Sequence, residues 1–183
     1  VPRVDKLFGP GNQYVTAAKT YAQRFGLAID MPAGPSEVLV LADDLARPDF
    51  VAADLLSQAE HGPDSQVVLV TTSRTLQNEV KNELNRQIRL PKRSEIAAEA
   101  LKQSMSLWFP TMDTALSFAN AYAPEHLIMQ VDEAEVWASR VQNAGSVFIG
   151  PYTPESAGDY ASGTNHTLPT GGWAKTYSGV SVA

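Results

Sequence analysis

The stretch "LLSQAEHGPDSQ" sets Gln58 and His61 three residues apart, at the end of an apolar helical run that Gly62 and Pro63 stop. On a helix that spacing puts both side chains on one face, one turn apart, where two side chains reach a single cation. Taken alone, the pair reads more readily as a solvated glutamine beside a histidine favoured by the helix C-terminal dipole. Two ligands do not make a site, and glutamine is rare among zinc ligands. The chain holds only two other histidines, and each also lies in a polar cluster at an element boundary. "AYAPEHLIMQV" sets Glu125 beside His126, directly after Pro124. An adjacent carboxyl and imidazole can move protons near neutral pH; a loop glutamate beside a satisfied boundary histidine fits the same residues about equally well. "GPYTPESAGDYASGTNHTLPTGG" carries Glu155, Asp159, Asn165 and His166. Asp159 offers a hard oxygen ligand, and the segment either closes over a ligand or is simply a mobile loop. In "LFGPGNQYV", Gly9 and Gly11 precede a helix, as in a phosphate-cradling turn. The dinucleotide fingerprint nevertheless fails, because Tyr14 stands where its third glycine should be.

Positioning these groups falls to alternating strands and helices. "EVLVLA" (Glu37 to Ala42), "QVVLVTT", "SLWFP", "HLIMQV" and "GSVFIG" are short apolar runs of the kind a sheet buried on both faces requires. Between them, "RPDFVAADLLSQAE", "TLQNEVKNELNRQIRL", "SEIAAEALKQ", "MDTALSFANAY" and "DEAEVWASRV" read as helices, and "NQYVTAAKTYAQRFG" as an earlier one closed by Gly26. This alternation predicts an α/β fold, a mainly parallel sheet with helices on both faces. Residues 151–176 show no period and read as one long loop, a length usually reserved for function or disorder. In such sheets sites are expected at the carboxyl ends of the strands.

Bulk properties exclude several classes of function. At 183 residues, with 44% hydrophobic and 19% charged residues, the chain has an ordinary globular composition. Its net charge of -6 and the lack of a Lys/Arg stripe argue against nucleic-acid binding. Without cysteine there is no disulfide, thiolate metal site or thiol nucleophile, which fits a reducing compartment such as the cytoplasm. No apolar run of about 18 residues, as a membrane span needs, appears. The chain opens on "VPRVDKLFGPGN" without Met and closes on the β-prone "AKTYSGVSVA", so it is expected to be a piece of a longer polypeptide.

"KLFGPGN", "DMPAGPSEVLV", "DLLSQAEHGPDSQ", "YAPEHL" and "GDYASGTNH" followed by "LPT" occur in this order along the whole chain. Together they closely resemble the histidinol dehydrogenase family. The resemblance implies a zinc- and NAD-dependent enzyme that oxidises L-histidinol to L-histidine through the aldehyde, with two hydrides passed to NAD. It implies that Gln58, His61 and Asp159 hold zinc and the substrate, and that Glu125 and His126 form the catalytic acid/base pair. It further implies that His126 and Ser36 contact substrate and that Asn12 contacts the nicotinamide cofactor. Zinc in this reading positions the substrate through its nitrogens rather than activating water. His166 is given no ligand role.

The same resemblance implies two interleaved, incomplete Rossmann-like lobes, with residues 1–34 the tail of one and residues 35–183 the main lobe carrying the zinc and catalytic residues. It implies a homodimer in which the partner subunit's C-terminal segment completes the zinc shell with a histidine and adds a substrate-binding glutamate. No such segment follows Val180 here, so the chain alone is expected to be inactive and to bind zinc weakly. A non-catalytic pairing module, and a hydrolase using Glu125 with zinc-bound water, are the competing readings. Reduction of nicotinamide by histidinol separates the last of these from the dehydrogenase.

Overall fold

The computed structural model describes residues 4–9, 12–90, 92–163 and 167–177, apart from the side chain of Asp159. Two short strands, β1 (Lys6–Leu7) and β2 (Ala28–Ile29), pair in parallel and flank helix α1 (Gln13–Gln23). Lys19 of α1 is almost wholly buried. It donates to the carbonyls of Gly9 and, at 3.3 Å, Met31, and pairs with the Asp30 carboxylate at 2.5 Å. A buried charge this well partnered fixes helix, loop and strand together, whereas removing either partner would strand the other.

The remaining elements build a second, larger sheet. They follow the order β3 (Glu37–Ala42), α2 (Pro48–Ala59), β4 (Gln66–Thr71), α3 (Arg74–Gln87), α4 (Ser94–Lys102), β5 (Met105–Trp108), α5 (Met112–Tyr122), β6 (His126–Gln130), α6 (Ala134–Ala138), β7 (Ser146–Ile149) and α7 (Glu155–Tyr160). All five strands run parallel, in the order β5-β4-β3-β6-β7. Every residue of β3 is buried because the strand is central and covered on both faces, hence its continuous apolar sequence. Val38, Val40, Val67, Leu69 and Ile128 pack under α2, α3 and α4. Leu39, Leu41, Val68, Leu127 and Met129 face α5 and α6. The predicted α/β class, with helices on both faces, is what the chain forms.

The strand order reverses between β3 and β6, a topological switch point. Its carboxyl end is bridged by Asp43. The backbone N–H of Asp43 donates to the Gln130 carbonyl at 3.3 Å, and its Oδ2 accepts from the Asp132 N–H at 2.6 Å. Residues 151–176, expected to be one loop, instead contain α7 and a 3₁₀ turn over Trp173–Lys175. Pro154 stands at the N-cap and Glu155 in the first turn of α7. A six-residue helix of small and polar residues is too short to show an apolar period. "DEAEVWASRV" contracts to the five residues of α6, because Glu133 adopts a left-handed φ of 48° at its start. No helix among the described residues is long and apolar enough to cross a membrane.

Candidate active site

His126 opens β6, and with Ile128 and Gln130 it lies on the face covered by α2. Gln130 Nε2 donates to Asp54 Oδ2 of α2 at 2.7 Å. A helix joining two parallel strands runs back along them, so from Asp54 the chain of α2 advances toward the His126 end of β6. Gln58 lies four residues on, about 6 Å, and His61 seven residues on, about 10 Å. His126 lies about 13 Å from Gln130 along the strand. The C-terminal turn of α2 therefore comes level with the start of β6. Glu37 opens β3 and Glu125 immediately precedes β6. The cluster thus occupies the amino edge of the sheet, not the expected carboxyl edge, where Asp43 bridges the strands.

Glu125 and His126 are both buried. Glu125 Oε2 accepts the backbone N–H of Glu37 at 2.9 Å, which anchors the carboxylate and turns Oε1 toward His126 Nε2 at 3.7 Å. Glu155 of α7 brings a second carboxylate, its Oε1 3.8 Å from the same nitrogen. Two carboxylates beside one imidazole nitrogen stabilise the charge it acquires on taking a proton. The Phe148 ring lies 6.0 Å from the His126 ring, centroid to centroid. Behind Glu125, Glu37 accepts from the Gly171 N–H at 2.9 Å and from the Tyr122 hydroxyl at 3.0 Å. Burial raises the Glu37 pKa above the usual carboxylate range, and burial with the neighbouring Glu37 charge drives the Tyr122 hydroxyl far above its ordinary value.

Gly145 sets how closely these strands meet. A Cβ there would lie 2.5 Å from the Glu125 carbonyl oxygen and 3.2 Å from Leu168 Cβ. Its own N–H donates to the Pro124 carbonyl, and the Ser146 N–H donates to the Glu125 carbonyl, each at 2.9 Å.

On α2, Gln58 is fully buried, and neither amide atom has a hydrogen-bond partner among the described residues. An orphaned buried amide is costly unless a ligand satisfies it, and its oxygen suits a cation. His61, just beyond the helix end, is exposed. Among the described residues no three His, Asp or Glu side chains converge as a metal centre. Asp159 lies within α7, but its side chain is outside the described residues, as are Asn165 and His166 altogether. The orphaned Gln58 amide and His61, three residues on at the end of α2, are the described residues from which a metal could be held there. Ser36 is half-buried at the mouth of a cleft of about 260 Å³, beside Glu37, Asp64 and Gln66. Asn12 caps α1, its Oδ1 accepting from the N–H groups of Tyr14 and Val15. Gly11 lies outside the described residues.

Asp54, which spacing did not single out, is buried, and burial with the nearby Glu155 charge lifts its pKa from 3.8 to about 6 despite the bond from Gln130. A carboxyl whose pKa is raised on folding stabilises the fold fully below 3.8 and loses that contribution as pH climbs through about 6. The cost above that window is about 3 kcal/mol. Asp54→Asn, which cannot ionise, is therefore expected to match the wild type in melting temperature near pH 4 and exceed it at pH 7 and above. Calorimetry across that range checks it; a difference constant with pH would show that Asp54 does not titrate there. The sequence signal for Asp54 was an acid inside the apolar "FVAADLLSQA", one turn before Gln58. For Glu37 it was a polar residue opening an otherwise apolar strand.

The sequence model of the histidinol dehydrogenase family matches residues 1–183. The histidinol dehydrogenase of Bacteroides thetaiotaomicron is 64% identical over 182 residues, covering 100% of this chain and 42% of that protein. The chloroplastic histidinol dehydrogenase of Arabidopsis thaliana is 59% identical over 184 residues, 99% of this chain and 40% of that protein. The crystal structure of histidinol dehydrogenase from Elizabethkingia anophelis superposes with a TM-score of 0.92 at 56% identity, over 99% of this chain and 42% of that one. An engineered glycolyl-CoA reductase with bound NADP+ shares the fold at a TM-score of 0.55 and 13% identity. The chain spans about 42% of the length of such relatives.

Proposed function

Because the chain belongs to the histidinol dehydrogenase family, we propose that it carries the acid/base and metal-binding half of an enzyme oxidising L-histidinol to L-histidine. The observation that carries the reading is the buried Glu125–His126 pair, set at the same edge of the sheet as the orphaned amide of Gln58. His126 takes the proton of the substrate hydroxyl as the first hydride leaves its carbon, giving the aldehyde. The carboxylates of Glu125 and Glu155 stabilise the resulting imidazolium. Glu125, anchored through Oε2, then accepts a proton from the water that adds to the aldehyde. Loss of a second hydride and a second hydroxyl proton from the hydrate gives the carboxylic acid. NAD supplies the acceptor for both hydrides.

Gln58, His61 and Asp159 would hold zinc, whose chemistry is to grip the substrate's nitrogens and orient its alcohol carbon. Ser36 lies where a substrate contact can line the cleft beside Glu37, and the Nδ2 of Asn12 is the group offered to the cofactor. The remaining zinc ligand would be a histidine supplied by the partner subunit of a homodimer. Residues 1–34 belong to a second Rossmann-like lobe, in keeping with the separate β1–β2 sheet.

The test is product counting with the full-length protein. Two reduced nicotinamides per histidinol are expected, and hydrolysis without nicotinamide reduction would overturn the reading. Glu125→Gln is expected to slow the first oxidation only modestly, Glu155 still facing the imidazole, and to lose at least about 100-fold in oxidation of supplied aldehyde. Equal loss in both steps would remove Glu125 from the water-activating role.

A further inference from the structure

Three unfavourable features lie along one line between α2 and β6. Asp54 is an acid buried at 8% exposure, Gln58 is an amide with neither atom partnered, and Gln130 is a buried amide whose Oε1 has no hydrogen-bond partner among the described residues. Folds place such costs where function requires them. Asp54 and Gln58 are one turn apart on α2, on a common face. His126 and Gln130 share one face of β6. The Asp54–Gln130 hydrogen bond therefore ties the helix that carries Gln58 and leads to His61 to the strand that carries His126. Beside it, α2 packs on the sheet through apolar contacts, among them Val51, Leu55, Val40 and Ile128. Such contacts can repack over a small slide of the helix along its axis, whereas the directional hydrogen bond holds one register.

We propose that Asp54 and Gln130 are positioning residues, a carboxyl–amide clasp that sets the axial register of α2 against β6 and so the spacing of Gln58 and His61 from His126. The clasp acts through pairing geometry and not through charge. In Asp54→Asn the new amide oxygen can accept from Gln130 Nε2 as the carboxylate does, and the new N–H can also reach the unpartnered Gln130 Oε1, so the clasp is preserved. Asp54→Ala breaks it. Exchanging the partners, Asp54→Asn together with Gln130→Glu, rebuilds an acid–amide pair of the same reach. Gln130→Glu alone, opposite an unchanged Asp54, sets carboxylate against carboxylate.

The proposal rests on the metal-binding reading of Gln58 and His61, and the test separates the two. In the full-length protein, zinc affinity by chelator competition, kcat and KM for histidinol, and melting temperature are measured for Asp54→Asn, Asp54→Ala, Gln130→Glu and the Asp54→Asn/Gln130→Glu pair. Asp54→Asn is expected to stay within about threefold of wild type in kcat and zinc affinity. Asp54→Ala and Gln130→Glu are expected to lose about 10- to 100-fold in both, the range for partners that orient a metal's ligands. The double variant is expected to recover most of the Gln130→Glu loss, which keeps the test decisive even where Asp54→Ala does not fold. Asp54→Asn as damaged as Asp54→Ala, or a double variant no better than Gln130→Glu, would overturn the clasp. A wild-type protein that binds no zinc would instead overturn the metal reading on which it rests.

Discussion

Replacing His126 by Asn in the full-length protein is expected to cut histidinol turnover about 10³-fold while leaving zinc content at the wild-type level. Asn keeps a small polar group on the α2 face of β6 but has no nitrogen that takes up a proton at neutral pH. The imidazole Nε2 lies 3.7 Å from Glu125 and 3.8 Å from Glu155, so removing the ring leaves two buried carboxylates without the cation that would form between them. The loss should fall on kcat rather than on KM, because the proton leaves the hydroxyl only as the hydride departs. Metal analysis decides the alternative. If zinc disappears with His126, the residue is a ligand and the proton acceptor lies elsewhere.

Gly145→Ala should be nearly as damaging, although residue 145 touches no substrate in the proposed mechanism. The added methyl would sit 2.5 Å from the carbonyl oxygen of Glu125 and 3.2 Å from Leu168 Cβ. Backbone cannot swing aside as a long side chain does, so β7 must part from β6 or Glu125 must shift. Overpacking of this kind costs about 1–3 kcal/mol, and a displacement of about 1 Å at a reacting group costs about 100-fold in rate. Leu168→Ala would not relieve the contact, since the atom met there is Cβ itself. The expected result is a lowered melting temperature together with turnover reduced by at least about 30-fold. Wild-type turnover in a stably folded Gly145→Ala protein would show that the Glu125 carboxylate tolerates movement of its own backbone.

Local pattern made the elements of the sheet legible, but not their arrangement. "EVLVLA" and "QVVLVTT" announce strands covered on both faces, and the adjacency of Glu125 and His126 needs no folding to be seen. The end of the sheet those residues occupy was legible in the order of elements: "HLIMQV" begins at His126, and the helix bearing Gln58 ends just before "QVVLVTT". The carboxyl-edge expectation came from the general rule for parallel sheets, and the chain's own element order overrides it. Glu155 reaches His126 only because α7 forms within a stretch of Gly, Ser and Thr too short for a periodic signal. Gln58 and His61 were visible as a one-faced pair, yet the isolation of the Gln58 amide depends on burial that spacing does not encode. Strands β1 and β2, two residues each, are shorter than any pattern can resolve.

The amino-edge location also makes the opposite rim a handle. Leu45 follows β3 at its far end, is 68% exposed, and lies beyond Ala42, itself four residues or about 13 Å along the sheet from the level of His126. The chain contains no cysteine. Leu45→Cys therefore gives this segment one unique thiol, on which a fluorophore or an affinity tag can report on the protein from a distance at which it does not meet the chemistry.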